Sequence, residues 1–284
     1  MIAAFQGVHG AYSELAGKQL LGEKCRTLPC ETFEDVFAAV EKGKADRGIL
    51  PIENSLAGSI HQNYDLLLAR NLRIVGETYL KVEHALLCHP STSWKNLTEV
   101  RSHPQALAQC SHFFASEKQV KPAPYFDTAG AAQSLAEEAP LHIGAIAGVY
   151  AAKLYGLKVL RRNLQNHRDN FTRFLIVAKP SAKAPSKSAT GSGAFKTSIA
   201  FMPEKNRVGV LHDILGVFAE RCIDLLKIES RPNPLSPFEY WFYLDFLGKA
   251  GDTTVDEALE HLREMTSQVK LLGSYPRANL PRLR

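Results

Sequence analysis

The chain has 284 residues, of which 45% are hydrophobic and 22% charged, with a formal net charge of +5. That length allows about two domains with cores of their own, and the composition is that of an ordinary globular protein. Dispersed Lys and Arg without interleaved aromatics argue against nucleic acid as a partner. No uninterrupted apolar stretch approaches the roughly 20 residues of a membrane span.

Ile2, Ala3, Ala4 and Phe5 predict a strand, followed by a Gly-containing turn and a helix through Leu15, Leu20 and Leu21. The turn is a first polar cluster, residues 7–14, in which Gly7 and Gly10 permit tight geometry and Ser13 is expected to cap the helix. It lacks both the GxGxxG and the GxxxxGK[ST] spacing of nucleotide loops. Cys25 and Cys30, with Cys88, Cys110 and Cys222, make an odd set of five without a CxxC pair. Reduced thiols and a cytoplasmic location are expected.

Phe33, Val36, Phe37 and Val40 recur at helical spacing, and Gly48, Ile49, Leu50 and Pro51 predict the next strand. A second cluster, Glu53, Asn54 and Ser55, follows at once. Its amide and hydroxyl suit a hydroxyl or carboxylate ligand, with helix-start N–H groups adding positive potential, and an Asx turn explains the same residues equally well. Tyr64 to Leu68 belong to a helix, and Leu72 to Val75 to a strand.

The third cluster runs from Ser102 through His103, Pro104 and Gln105 to Cys110. Pro104 suits a first helical turn, Gln105 can offer its amide to a ligand, and His103 is expected to cap or turn rather than to act as a base. In the fourth, Asp127 and Thr128 precede small residues, and Thr128 is expected to cap a helix. Finally, Asn170, Phe171, Thr172, Arg173 and Phe174 lead into the apolar strand Leu175 to Ala178. Here a neutral hydroxyl stands beside a permanently charged guanidinium suited to a carboxylate. Such alternation of strands and helices predicts α/β layers around a largely parallel sheet, with ligands at the carboxyl ends of the strands.

Residues 179–193, rich in Pro, Ser, Lys and Gly, predict a flexible linker. Beyond it come a strand at 197–201, a helical face from Val210 to Phe218, strands at 224–230 and 238–246, a helix through Val255 to Met265, and a strand at 269–272. This βαββαβ order is the ferredoxin-like pattern. The ten His residues show no HExxH spacing, the cysteines form no zinc knuckle, and no GxSxG elbow is present. A site of Asn, Gln, Ser, Thr and one Arg reads anions and hydroxyls, and suits a small dicarboxylate better than a nucleotide.

Taken in this order, the four clusters and residues 170–174 resemble the prephenate dehydratase family, which includes arogenate dehydratases. The resemblance spans nearly the whole chain. It implies a two-lobed catalytic domain like type II periplasmic binding proteins over 1–179, with lobes of about 1–77 with 163–179, and 78–162. A linker at 180–196 and a ferredoxin-like ACT regulatory domain at 197–276 follow. The implied chemistry is cofactor-free and metal-free: prephenate loses CO2 and water to give phenylpyruvate, or arogenate gives phenylalanine directly. Thr172 matches the family's catalytic residue, and we expect it to donate a hydrogen bond to the leaving hydroxyl. Arg173 is expected to hold a substrate carboxylate, with Ser13, Asn54, Ser55, Gln105 and Thr128 completing a polar cage. The retained carboxylate is the better partner for Arg173, since gripping the departing one would stabilise the ground state against CO2 loss.

Gly209, Leu211, Glu229, Ser230 and Arg231 match the family's effector site for phenylalanine, which implies a homodimer or homotetramer. Val208 and Val210 depart from the family's smaller or cyclic residues there, which affects effector affinity and identity. Residues 57–68 look especially like the plant-type arogenate enzymes. A monofunctional chain without a chorismate mutase segment is expected. The rival from another class is a non-catalytic amino-acid sensor, which would not need Thr172 and Arg173 together with Asn54 and Gln105.

Overall fold

The structure is a computed structural model that describes residues 1–182, 193–204, 207–233 and 236–279. The chain forms two compact units, Met1–Ile60 with Tyr79–Phe174, and His61–Thr78 with Leu175–Asn279. Most of the expected linker lies outside the described residues.

In chain order, the elements up to the linker begin with β1 (Ile2–Gln6), α1 (Tyr12–Leu21), β2 (Arg26–Cys30), α2 (Phe33–Glu41), β3 (Arg47–Asn54) and β4 (Gly58–Ser59). Next come α3 (His61–Ala69), β5 (Arg73–Lys81), β6 (Ala85–Cys88), β7 (Glu99–Ser102), α4 (Pro104–Gln109) and α5 (Ser111–Ser116). The series closes with β8 (Lys121–Pro124), α6 (Thr128–Glu138), β9 (Ile143–Ala147), α7 (Val149–Tyr155), β10 (Lys158–Arg161) and β11 (Phe171–Ala178).

Two sheets carry these strands. The first has the order β2-β1-β3-β11-β5, with β4 paired to β3, and the second has the order β10-β6-β9-β7-β8. In the first, β1 runs parallel to both neighbours. In the second, β7 is parallel to β8 and β9, while β6 is antiparallel to β9 and β10. The expected parallel sheet is therefore two sheets, both mixed because β4 is antiparallel to β3 in the first, as in the type II periplasmic-binding-protein fold.

The patterns that place these elements are local. Thr32 accepts from Asp35 N at 3.1 Å, and the Asp35 carboxylate accepts from Thr32 N at 3.2 Å, closing a capping box that starts α2. Val36, Phe37 and Val40 then fall on one buried face. In the second sheet, Leu86 and Ile146 face one core with Leu97, Val100 and Phe113, while Leu87 and Ala145 face the other with Leu135. Strand alternation thus buries both faces.

In the second unit, β12 (Phe195–Pro203), α8 (Val210–Ala219), β13 (Leu225–Pro232), β14 (Tyr240–Leu247), α9 (Thr253–Glu264) and β15 (Thr266–Pro276) make the βαββαβ order. Their sheet runs β13-β14-β12-β15, antiparallel throughout, which is the ferredoxin-like arrangement. Its core is Ile199, Phe201, Phe218, Leu244, Phe246 and Leu262 with their neighbours. The closing strand is longer than its apolar stretch suggests, because it pairs with β12 from Thr266 through Pro276.

Candidate active site

A cavity of about 480 Å3 opens in the first unit, where the ends of β3 and the start of β11 meet the first turns of α1, α4 and α6. Its wall mixes apolar surface from Pro51, Ile60, Val82, Ala106 and Phe174 with polar groups from Asn54, Gln105, Thr128 and Thr172. The size fits a small organic ligand.

Its polar centre is a chain of hydrogen bonds. Asn54 Nδ2 donates to Thr172 Oγ1 at 3.0 Å and to Asn170 Oδ1 at 2.7 Å, while its Oδ1 accepts from Leu56 N and Ala57 N. The oxygen of Asn54 thus makes the Asx turn, while its nitrogen is taken up by Asn170, Phe171 and Thr172. Asn170 Nδ2 donates to Gln109 Oε1 at 3.1 Å, and His84 Nε2 lies 3.0 Å from the same oxygen. As Gln109 Oε1 is an acceptor, His84 carries its proton on Nε2. Burial pushes the His84 pKa below its usual value, against the pull of Gln109. The chain ends at Tyr12, whose hydroxyl donates to Glu83 O at 2.7 Å and lies 3.3 Å from His84 Nδ1. Burial holds the Tyr12 phenol well above its ordinary range, so it stays protonated.

Thr172 is thereby oriented. Its oxygen accepts from Asn54, and among the described residues its proton has no protein acceptor, so the hydroxyl can donate into the cavity.

The loop from β1 to α1 is held in place from behind. Gly7 and Gly10 adopt φ of +108° and +94°, which side chains rarely tolerate. The buried Glu14 carboxylate accepts from Gly10 N and Thr27 Oγ1, each at 2.7 Å, with His9 and Lys18 alongside. Burial raises the Glu14 pKa, but these partners outweigh it and hold the carboxyl below its usual range.

Of the residues expected from sequence, Ser13, Asn54, Gln105, Thr128 and Thr172 share this wall. Ser55 and Arg173 are not on it. Ser55 pins β11 to β3, its N donating to Phe171 O at 2.8 Å and its Oγ accepting from Phe171 N at 2.9 Å. Arg173 is buried between Thr172 and Phe174, which both line the cavity. The pleat of β11 turns its side chain to the opposite face.

Three caps also differ from expectation or refine it. Ser13 lies inside α1, behind an N-cap Ala11 that makes no side-chain bond. Asp127, not Thr128, caps α6, through Gly130 N. His103 caps α4 as expected, its Nδ1 accepting from Gln105 N at 3.2 Å. Helix-start amides do not follow Asn54, because β3 runs on to Asn54 and a turn leads to β4. These shifts leave the Ser13 and Thr128 hydroxyls available to the cavity. Sequence reasoning missed Tyr12, His84, Gln109 and Asp127. Gln109 alone carried a local signal, standing four residues after Gln105 on a short helix.

A family model described as Prephenate dehydratase matches residues 3–182. The chain belongs to the prephenate dehydratase family. Among relatives of known sequence, arogenate dehydratase/prephenate dehydratase 2, chloroplastic, of Arabidopsis thaliana is 46% identical over 282 residues, covering 96% of this chain and 72% of its own. Arogenate dehydratase 2 of Petunia hybrida is 43% identical over 291 residues, covering 96% and 71%. Among solved structures, the prephenate dehydratase of Arthrobacter aurescens in complex with L-Phe superposes with a TM-score of 0.87 at 30% identity, covering 98% of this chain and 90% of its own. A protein described as "GqqA- a novel type of quorum quenching acylases" has the same TM-score at 35% identity, covering 98% of both chains.

The ferredoxin-like sheet of the second unit has a pocket of its own. About 450 Å3 is enclosed by residues that include Met202, Gly209, Val210, Leu211, Tyr240 and Phe242. Gly209 and Leu211 are therefore on the wall of a ligand-sized pocket, whereas Glu229, Ser230 and Arg231 are not. Glu229 instead meets His61 at 3.1 Å, and Arg231 binds Asp65 at 2.6 Å, so β13 is fastened to α3. Val210 lines the pocket, while Val208 is 100% exposed and does not. Among the described residues no helix is long and apolar enough to cross a membrane.

Proposed function

We propose that this chain catalyses the decarboxylating dehydration of prephenate or arogenate, with Thr172 as the hydrogen-bond donor to the departing hydroxyl. The observation that carries this is the Thr172 hydroxyl, fixed as an acceptor by Asn54 and aimed as a donor into an otherwise largely apolar cavity. In the reaction the bond from the ring to its carboxylate breaks and CO2 leaves. The electron pair passes through the ring diene and expels the hydroxyl from the opposite carbon, which takes up a proton from solvent and departs as water. A neutral Thr is too weak an acid to transfer that proton unaided. It stabilises charge growing on the leaving oxygen, a contribution worth about 100- to 1000-fold for one positioned donor.

The wall supports this chemistry in a second way. None of the described residues lining the cavity is Lys or Arg, so among them the departing carboxylate meets no ammonium or guanidinium partner. A carboxylate held by neutral donors in apolar surroundings is destabilised relative to the charge-dispersed transition state. Gln105 and Thr128 are the neutral groups best placed to hold the substrate's retained end.

Acyl transfer, the activity in the description of one similar structure, needs an activated nucleophile. Ser13, Thr128 and Thr172 make no hydrogen bond to a histidine among the described residues, and Tyr12, which does approach His84, is held protonated by burial. These four groups therefore favour elimination over acyl transfer.

Phenylalanine is the proposed effector, bound at the ACT pocket with Gly209 and Leu211 on its wall, in a homodimer or homotetramer. The five free cysteines suit a reducing cytoplasm, where we place the enzyme. Incubation with prephenate should yield phenylpyruvate, and with arogenate phenylalanine. Failure of both would overturn the function.

A further inference from the structure

Asp127 is the only carboxylate among the described residues lining the cavity. One of its oxygens has a structural task, since Oδ1 accepts from Gly130 N and caps α6. A cap needs no more than that, and Ser, Thr or Asn would serve as well. The other oxygen is less easily explained. Oδ2 is buried and has no hydrogen-bond partner among the described residues. It faces the backbone of Gly7, where an added Cβ would stand 3.5 Å away. Burial pushes the Asp127 carboxyl up, while the Gly130, Ala129 and Val8 amides and the nearby His103 pull it back. A carboxylate in this position carries charge into the cavity wall beyond what the helix start requires.

This inference rests on the function proposed above and refines its substrate. The two candidate substrates differ at one carbon, which bears an oxo group in prephenate and an ammonium in arogenate. We propose that Asp127 is the specificity-determining residue: its carboxylate pairs with the substrate ammonium, and the site takes arogenate in preference to prephenate. An ammonium beside Asp127 supplies the opposite charge that this carboxylate lacks among the lining residues. An oxo group supplies neither and turns a carbonyl oxygen toward an anion, which disfavours prephenate. Thr128, next in sequence and also on the wall, can bond the carboxylate on the same side chain.

The test is the ratio of kcat/KM for arogenate to kcat/KM for prephenate in wild type, Asp127→Asn and Asp127→Ser. Both replacements keep an oxygen for Gly130 N, so α6 remains capped while the charge is lost. Removing one partner of a desolvated charge pair weakens binding by about thirtyfold or more. The ratio is expected to favour arogenate in wild type and to fall by at least that factor in both variants, with prephenate turnover rising. Three outcomes overturn the proposal. A wild type that favours prephenate contradicts it directly. An unchanged ratio with both activities retained makes Asp127 a cap only. A parallel loss of kcat on both substrates makes it a proton donor or a purely structural residue. A wild type inactive on both substrates removes the proposed function itself, which separates that failure from the others.

Discussion

Replacing Asn54 by Asp isolates the orientation of Thr172 from the architecture around it. Asp keeps an oxygen where Asn54 Oδ1 accepts from Leu56 N at 3.1 Å and Ala57 N at 3.0 Å, so the turn after β3 survives. What changes is the other atom. A donor NH2 that serves Thr172 Oγ1 at 3.0 Å and Asn170 Oδ1 at 2.7 Å becomes an acceptor oxygen. Thr172 then turns its own proton onto the new carboxylate, and the leaving hydroxyl loses its donor. Loss of one positioned donor costs about 100- to 1000-fold in kcat, or roughly 2.7–4 kcal/mol of barrier. KM should move little, because the hydrogen bond matters chiefly as charge develops. The assay is steady-state formation of phenylpyruvate from prephenate, with the thermal transition recorded to confirm folding. A folded Asn54→Asp enzyme with kcat within about threefold of wild type would refute the orienting role.

Arg173→Lys should alter stability and kcat while leaving KM within about threefold, since the side chain lies behind the cavity wall; a tenfold rise in KM would instead put the guanidinium on the substrate. For His84, burial lowers the folded-state pKa, so below the unfolded value of about 6.5 the unfolded chain binds the extra proton. Stability should therefore fall as pH drops from about 6.5 toward the lowered folded value, and His84→Gln should flatten that segment; identical Tm profiles for the two proteins would contradict it. In the second unit, Glu77 and Lys196 form a buried pair at 2.8 Å, with Glu77 Oε1 also accepting from Ala278 N. Glu77→Ala leaves a buried ammonium without this carboxylate, and chemical denaturation should show a loss of about 3–5 kcal/mol; a loss below about 1 kcal/mol would mean the charges are hydrated.

Much of the fold was legible because its signals are local. Period-3.6 faces such as Val36, Phe37 and Val40, and the βαββαβ order after the linker, need only neighbouring residues to be read. The site clusters were legible as a set, because their residues recur where strands give way to helices. Side-chain direction was not. Thr172 and Arg173 are adjacent, and a single step of the pleat sends one to the cavity and the other behind it. Ser13 and Thr128 carry hydroxyls of the kind that favours a cap, yet Ala11 and Asp127 occupy that position. The pairing of Tyr12 with His84 spans 72 residues, and no local pattern announces it. Asp127 was visible as a residue but not as part of a wall, since that depends on α6 facing the loop that follows β1.

The most direct test of Thr172 as the donor is kcat on prephenate for wild type, Thr172→Ser and Thr172→Ala, each verified as folded. Thr172→Ala removes the hydroxyl that Asn54 orients, and kcat should fall by at least about a hundredfold. Thr172→Ser restores a hydroxyl with freer rotation and should recover part of that loss. A Thr172→Ala enzyme that makes phenylpyruvate at close to the wild-type rate would contradict the donor role and leave Asn54, Asn170, Gln109 and His84 as a purely structural network.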